Sequence, residues 1–298
     1  MHPVQHTIAR DADYKGIGLH TGNLCKLIFK PAAPNSGVVF IRTDLPGRPS
    51  MKAHYSNVQG VIRGTTIGNG DARVHTIEHV LSAVYALGIN NLIIEVNANE
   101  PPVADGSSQW FYDTLKEAGI VAQEAPLVIL QPQERLDYKQ GETEITFEPA
   151  NELRITSIVM FQHPLIGRQE VSLSIQPEIY RHEIAPARTF CFDYEVEALK
   201  KQGLARGGSL DNAVVIGLDR IHNKEKKLRF PDEFARHKAL DLLGDLFLLG
   251  APLKGHITAL RPGHGHNINF VKMMAERFMK TTSSSTPPER TSYVTDHS

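Results

Sequence analysis

Hydrophobic residues along the chain recur first at strand spacing and then at helix spacing, and this succession occurs twice. In the first 70 residues, short apolar runs broken by glycine and proline predict strands, for example at residues 24–29 and 37–41. Apolar residues at helical spacing then predict a helix over residues 73–87, which Gly88 ends because glycine adopts a left-handed conformation easily. A strand at residues 91–96 and a helix at residues 108–118 follow.

The strand pattern begins again after residues 119–126, which we predict to be a linker. A strong helix is predicted over residues 232–249, since Asp232 suits its start, Gly250 suits its end and Pro252 prevents its continuation. The tail at residues 281–298 is rich in serine, threonine and proline and is predicted to be disordered. The other elements predicted here are strands at residues 127–130, 144–147, 153–161, 170–175 and 256–260, helices at 194–201 and 268–279, and a glycine/histidine loop at 263–267.

The two strongest helical patterns carry polar residues at corresponding positions. When the two sequences are aligned on the Leu-Gly pair that ends each helix, His75 corresponds to His237 and His79 corresponds to Asp241. Both helices thus hold a pair of side chains that can bind metal, spaced one helical turn apart. This correspondence indicates two similarly folded halves.

Length and internal correspondence together predict the domain organisation. A chain of 298 residues suits two domains. We predict an α+β fold with one sheet-plus-helix domain over residues 1–120 and a similar one over residues 126–280, which carries an insert at about residues 190–215. The two domains are expected to pack as a sandwich, with the functional site at their interface.

Charge and cysteine content exclude some classes of function. The chain has 32 basic and 33 acidic residues, so it lacks the basic surplus typical of a nucleic-acid-binding protein. Its apolar stretches are shorter than the roughly 18 residues that a membrane span requires. The N-terminus has no apolar signal-peptide region, and two cysteines cannot form a disulfide framework. We therefore expect a cytoplasmic protein with no nucleic-acid partner and no membrane span.

The first motif with chemical meaning is His75-Thr-Ile-Glu78-His79. On a helix, the two histidines lie on one face, and Glu78 lies close enough to reach a water molecule held there. This H-x-x-E-H order is the inverzincin pattern, in which both histidines bind zinc and the glutamate is the base. The alternative is a helix with two ordinary histidines and a surface glutamate.

A second motif places His237, Asp241 and Asp245 four residues apart along an otherwise apolar helix. Burial of ionisable side chains is unfavourable unless they are paired or bind a metal, so this stripe indicates a metal site. The alternative is an exposed helix face with an ion pair between His237 and Asp241.

A third motif, Arg261-Pro262-Gly-His264-Gly-His266, places His264 between two glycines. This predicts an exposed imidazole on a tight loop, and histidine suits proton transfer near neutral pH. The alternative is a surface turn.

These motifs occur together in the order seen in one enzyme family. The stretches that carry the likeness are His75-Thr-Ile-Glu-His79, Pro101-Pro-Val-Ala-Asp-Gly106, Ala187-Arg-Thr-Phe190, Gly207-Gly-Ser-Leu-Asp-Asn212, His237-Lys-Ala-Leu-Asp241 and Gly263-His264. From about residue 5 to residue 278, the chain resembles the UDP-3-O-acyl-N-acetylglucosamine deacetylases, zinc amidases of lipid A biosynthesis.

The resemblance implies a metal site and a base. Zinc (Zn²⁺) would be bound by His79, His237 and Asp241 together with water, and His75 would not be a ligand. Glu78 would be the general base. The site would lie between two α+β domains that pack face to face.

The resemblance also implies roles for residues around the metal. Thr189 and His264 would assist the oxyanion and the leaving amine, and Asp245 would orient His264. Lys238 and Phe161 would contact the nucleotide part of the substrate. The insert at about residues 190–215 would form part of an apolar passage for the acyl chain.

Some positions depart from the family pattern. Pro262 replaces a small polar residue, and His266 is a second imidazole that could compete with His264 for its role. Either Asp193 or Glu195 could occupy the acidic position that follows the Ala-Arg-Thr-Phe motif.

We therefore predict an enzyme that hydrolyses the N-acetyl group of UDP-3-O-acyl-N-acetylglucosamine, with this UDP-linked sugar as its binding partner. One alternative is an inverzincin-type zinc peptidase that uses His75, Glu78 and His79. Another is a non-catalytic nucleotide-sugar binding protein with a structural metal. The sequence leaves open the acyl-chain length, the choice between Zn²⁺ and Fe²⁺, and the oligomeric state.

Overall fold

The computed structural model describes residues 3–279, and these residues form an α+β fold. Its first part contains nine strands, two helices and a short 3₁₀ turn at Tyr55–Asn57. The strands are β1 (Val4–Ile8), β2 (Ala12–Ile17), β3 (Leu24–Pro31), β4 (Val38–Arg42), β5 (Ser50–Lys52), β6 (Val58–Gly60), β7 (Thr66–Asn69), β8 (Ala72–Val74) and β9 (Leu92–Val96). The helices are α1 (Glu78–Ala86) and α2 (Gln109–Glu117).

The second part begins with a strand, β10 (Ile120–Pro126), that pairs with β1 of the first part. Its strands are β10 (Ile120–Pro126), β11 (Leu136–Gln140), β12 (Thr143–Glu148), β13 (Leu153–Met160), β14 (Arg168–Ser174), β15 (Phe190–Phe192), β16 (Val214–Ile216), β17 (Ile221–His222) and β18 (Gly255–Leu260). Its helices are α3 (Pro177–Ile179), which continues into a π-helical turn at Tyr180–Ile184, α4 (Asp193–Lys201), α5 (Glu233–Phe247) and α6 (His264–Phe278).

Each half contains a five-stranded sheet with the same strand order. The sheets run β2-β3-β9-β4-β5 and β11-β12-β18-β13-β14. In both, one inner pair is parallel, β4 with β9 and β13 with β18, and the other neighbours are antiparallel. A small three-stranded sheet, β6-β7-β8 or β15-β16-β17, precedes the main helix of each half. This repeated topology agrees with the internal correspondence found in the sequence.

Helices α1 and α5 pack against each other in the core, and α5 also packs on β13 and β14. Nearly all residues of both helices are buried, as their mostly apolar sequences require. Gly244 of α5 makes the close approach possible, because a side chain there would collide with the backbone carbonyl of Glu78. This contact brings the polar residues of the two helices together.

Several predicted elements are wrong in detail. Residues 119–126 do not form a linker, because residues 120–126 form β10 and pair antiparallel with β1. Residues 127–130 form no strand and contribute only an isolated bridge between Leu130 and Leu253. The first main helix starts at Glu78 rather than at residue 73, since residues 72–74 are needed for β8.

The predicted loop at residues 263–267 is also wrong, because α6 begins at His264. The domain boundaries and the sandwich packing stay predictions, and the tail at residues 281–298 lies outside the described residues. None of the helices within residues 3–279 combines the length and apolar character that a bilayer crossing requires.

Candidate functional site

Three side chains that can bind metal meet where α1 and α5 touch. His79 comes from α1, and His237 and Asp241 lie one turn apart on α5. The Oδ1 atom of Asp241 lies 3.4 Å from Nε2 of His237 and 3.7 Å from Nε2 of His79. One ligand atom from each residue lies within 4.8 Å of the others, and all three residues are buried. The structure therefore brings together the three residues predicted as metal ligands.

The chemistry of these donors fits a divalent metal ion. Although Asp241 Oδ1 is buried, it has no hydrogen-bond donor among the described residues. His237 donates from Nδ1 to the carbonyl of Ala187 at 3.1 Å, so its Nε2 carries the lone pair that faces Asp241. Two imidazole nitrogens and one carboxylate oxygen form a ligand set typical of catalytic zinc, which retains an open position.

The pKa values of this cluster favour metal binding. Burial, reinforced by the neighbouring His237, lowers the pKa of His79 to about 3, and burial also lowers the pKa of His237. Burial alone would raise the pKa of Asp241, but His237 and Lys238 hold it well below its usual range. Lys238 Nζ donates to Asp241 Oδ2 at 2.8 Å. Neutral imidazoles beside an ionised carboxylate are the protonation states that a metal ion requires.

Glu78 is the first residue of α1, and its carboxylate lies beside the metal-binding cluster. Its Oε2 accepts a hydrogen bond from the backbone N–H of Thr65 at 2.9 Å, and its Oε1 lies 3.8 Å from Nε2 of His264. Burial raises the pKa of Glu78 to about 7, although the charge of His264 opposes this rise. A carboxylate with a pKa near neutrality is well suited to accept a proton from water.

His264, the first residue of α6, is held by a buried carboxylate. Its Nδ1 lies 3.0 Å from Oδ2 of Asp245, which also accepts from Asn267 Nδ2 at 2.9 Å. The other oxygen of Asp245 accepts from the Thr65 hydroxyl at 2.5 Å. Burial alone would lower the pKa of His264, but the carboxylates of Asp245 and Glu78 raise it to about 9. The imidazolium is therefore oriented and charged at neutral pH.

The cluster lies in a cavity of about 420 Å³. Thr189, Lys238 and His264 line it, whereas Phe161 lies outside its lining, with its ring centroid 6.0 Å from that of Phe190 in the cavity wall. Much of the remaining wall is apolar and comes from the insert predicted at residues 190–215. The apolar residues that this insert contributes are Phe190, Val196, Leu199, Ala205, Leu210, Ala213 and Val215.

Thr189 is fixed by a loop of the first half. Its backbone N–H donates to the carbonyl of Gly106 at 2.7 Å, and its own carbonyl accepts from Val214 at 2.9 Å. Gly106 has a φ of +88°, and a side chain there would collide with the carbonyl of Asn212. The glycine of the Pro101–Gly106 motif thus allows the close contact that sets the position of Thr189.

His75 does not join His79, so the predicted helical histidine pair is wrong. Residue 75 precedes α1, and Thr76 has a φ of +54°, which is incompatible with a continuous helix. His75 Nδ1 lies 2.9 Å from the hydroxyl of Thr66, and the ring lines a separate polar cavity with Arg42 and Arg73. The inverzincin arrangement is therefore absent at these residues.

Two departures from the family motifs now have defined surroundings. His266 Nδ1 lies 2.9 Å from the hydroxyl of Tyr138 on β11, and His266 does not line the cavity that holds His264. Of the two candidate acids after Phe190, Glu195 pairs with the cavity residue Arg63, whereas Asp193 is exposed. The second imidazole of the motif, His266, therefore does not compete with His264 in the cavity.

Thr65 and Glu100 hold residues of the candidate site in place, and the sequence analysis did not identify them. Thr65 contacts residues 13 and 180 positions away, so no local pattern indicates its role. Glu100 is fully buried and accepts hydrogen bonds from His20, Thr21 and Thr76, two of which line the cavity. The only signal in the sequence was an acidic residue directly before the Pro101–Gly106 motif.

Comparisons with known proteins show the family of this chain. The sequence model of the family LpxC, UDP-3-O-acyl N-acetylglycosamine deacetylase, matches residues 5–276. The UDP-3-O-acyl-N-acetylglucosamine deacetylase of Bdellovibrio bacteriovorus is 45% identical over 88% of this chain and 86% of its own. The corresponding protein of Phenylobacterium zucineum is 42% identical over 92% and 94% of the two chains.

A bifunctional relative is longer than this chain. The bifunctional enzyme LpxC/FabZ of Chlorobaculum tepidum is 42% identical over 91% of this chain, which spans 64% of that relative's length. The family match extends over most of the present sequence. The chain belongs to the LpxC family of UDP-3-O-acyl N-acetylglycosamine deacetylases.

Proposed function

We propose that the protein is a zinc-dependent deacetylase that acts in the cytoplasm in lipid A biosynthesis. It hydrolyses the N-acetyl group of UDP-3-O-acyl-N-acetylglucosamine to acetate and a free amine. The observation that carries this proposal is the convergence of His79, His237 and Asp241 beside Glu78 and His264, in the lining of a mostly apolar cavity. Membership of the deacetylase family gives the substrate class.

Zinc would be held by His79, His237 and Asp241. The unpartnered Oδ1 of Asp241 and the hydrogen bond that orients His237 support this assignment. When bound, the ion supplies Lewis acidity, which polarises the amide carbonyl and makes a water molecule more acidic.

Glu78 would act as the general base. Its carboxylate takes a proton from the attacking water while the oxygen adds to the acetamide carbonyl. Its burial and the pKa of about 7 support this role, because a substantial fraction of the group is ionised at neutral pH and this form accepts a proton readily. The backbone N–H of Thr65 fixes the orientation of the carboxylate.

His264 would assist the departure of the amine. When the C–N bond breaks, the imidazolium at Nε2 donates a proton to the nitrogen or supports it electrostatically. The contact of Nδ1 with Asp245 leaves Nε2 directed towards Glu78 and Asp241, which supports this role. Asp245 would thus be a positioning residue for His264.

The remaining site residues would bind the substrate and the developing charge. The Thr189 hydroxyl would stabilise the oxyanion, and the fixed backbone of Thr189 in the cavity wall supports this assignment. Lys238 and Phe161 would contact the nucleotide part. The apolar wall from the insert would surround the acyl chain, since its burial there is favourable.

The decisive experiment measures acetate release from UDP-3-O-acyl-N-acetylglucosamine by the zinc-loaded protein, with a chelated sample as the control. We expect turnover that the chelator abolishes and that added zinc restores. Failure of the loaded protein, at one zinc per chain, to release acetate would refute the proposed function.

Two alternatives predict other results in the same samples. A zinc peptidase that uses His75 would cleave peptides and lose zinc in His75→Ala. A non-catalytic nucleotide-sugar binding protein would bind the substrate without releasing acetate, and its structural zinc would need a fourth protein ligand. The three-residue ligand set and the position of His75 outside it favour the deacetylase.

A further inference from the structure

An ion pair that the proposed reaction does not use joins the two walls of the cavity. Arg63 lies between β6 and β7 in the first half, and Glu195 lies on α4 in the insert of the second half. Arg63 Nη2 donates to Glu195 Oε1 at 2.6 Å, and Nη1 lies 3.5 Å from Oε2. The side chains are 42% and 24% exposed, so the pair lies on the solvent side of the cavity.

Both partners of this pair are anchored by further hydrogen bonds. Arg63 has a φ of +58°, and its carbonyl accepts from His20 Nε2 at 3.2 Å. Glu195 Oε2 accepts from the backbone N–H of Phe192 at 3.1 Å, which satisfies a free N–H group at the start of α4. The ion pair therefore joins two ordered backbone segments rather than two freely moving side chains.

The pair connects the apolar wall to the segment that holds the proposed base. On α4, Glu195 directly precedes Val196 and lies one turn before Leu199, and both of these side chains line the cavity. On the opposite wall, Arg63 is two residues from Thr65, whose N–H binds Glu78. Backbone N–H groups of Arg206 and Gly207 hold the far end of the insert to His20 and Leu19, so separation of the pair would loosen only the α4 side of the apolar wall.

We propose that Arg63 and Glu195 form a clasp that closes the apolar wall of the cavity over an acyl chain, and that the clasp sets the preference for long over short chains. This inference rests on the proposed function, because the acyl chain is that of the proposed substrate. Ion pairs between partly exposed side chains are weak, so the clasp opens readily and lets the chain enter and leave.

The first test compares KM for substrates that carry a long and a short acyl chain. Arg63→Gln removes one charge, and Glu195→Gln removes the other while it keeps an oxygen that caps α4. We expect each variant to raise KM for the long chain about two- to fivefold, with the short-chain KM unchanged. The double variant should be no worse than either single variant, because the pair is already broken. Lys116→Gln, which breaks an exposed ion pair outside the cavity, is the control.

The second test does not depend on catalysis. Cys191 lines the cavity and is partly exposed, whereas Cys25 is fully buried, so N-ethylmaleimide modifies Cys191 selectively. Burial raises the pKa of the Cys191 thiol. The charge of Glu195 raises this pKa further, whereas the charge of Arg63 lowers it. The two single variants therefore change thiolate content in opposite directions. An opened clasp accelerates modification about two- to fivefold in both, and not in Lys116→Gln.

The outcomes separate the clasp from the proposed function. The clasp would be overturned if the two variants changed the modification rate in opposite directions. It would also be overturned if both the modification rates and the ratio of long-chain to short-chain KM stayed unchanged. If the wild-type protein deacetylates neither substrate but both variants are modified faster, closure by the pair is supported and the proposed substrate is wrong.

Discussion

Thr65 provides a sensitive test of the site, because its backbone and its side chain hold different groups. Its N–H binds Glu78 Oε2, and its hydroxyl binds Asp245 Oδ1 at 2.5 Å. Valine at this position would have nearly the same shape and the same N–H but no hydroxyl. Thr65→Val therefore removes the hydrogen bond to the carboxylate that orients His264, together with a longer contact of 3.4 Å between the hydroxyl and His264 Nδ1.

The expected size of this effect follows from the charge of the acceptor. A hydrogen bond to an ionised group contributes about 1.5–3 kcal/mol, and each 1.36 kcal/mol of barrier changes a rate roughly tenfold. Asp245 keeps its contacts with Asn267 and His264, so the site stays assembled but less firmly oriented. We expect Thr65→Val to lower kcat by between about tenfold and about a hundredfold.

The assay is acetate release at saturating substrate, with zinc content and thermal unfolding measured on the same samples. Thr65→Ser keeps the hydroxyl and should retain kcat within about threefold of the wild type, since only packing is lost. Full activity of Thr65→Val, or an equal loss in Thr65→Ser, would refute the reasoning that the hydroxyl positions Asp245.

Further predictions concern the base, the metal ligands, the acid and the helix contact. Glu78→Gln should lower kcat at least about a hundredfold with zinc retained, and near-normal acetate release would contradict its role as base. Metal analysis should find zinc lost in His237→Ala and retained in His75→Ala; the reverse result would contradict the ligand set. Because Glu78 must be ionised and His264 protonated, kcat/KM should fall below pH about 7 and again above pH about 9, and a profile without the alkaline decline would contradict the role of His264. Gly244→Ala should lower the free energy of unfolding by about 1–3 kcal/mol in urea, since α1 and α5 must separate; unchanged stability would refute the close contact.

The residues on α5 could be predicted from the sequence because their relation is local. His237 and Asp241 are four residues apart on a helix with clear start and stop signals, and helical geometry places them on one face. The same reasoning failed for His75, since residues 72–74 pair with β7 and Thr76 turns left-handed before α1 begins. Pairing with a neighbouring strand outweighed helical propensity there.

Non-local contacts also explain the other errors. Two glycines around His264 favour a loop, yet α6 starts at this residue and Asn267 in its first turn binds Asp245. Residues 120–126 lie between the two strand patterns, which favours a linker, but they form a strand that pairs antiparallel with β1. The pairing of Arg63 with Glu195 spans 132 positions and has no local signature.

The metal-binding residues are divided between the two repeated halves, with His79 on one and His237 and Asp241 on the other. During synthesis, a nascent polypeptide that ends before residue 237 offers a single ligand and cannot retain the ion. A zinc ion at the proposed site would consequently be bound only after α5 has been synthesised and has packed against α1.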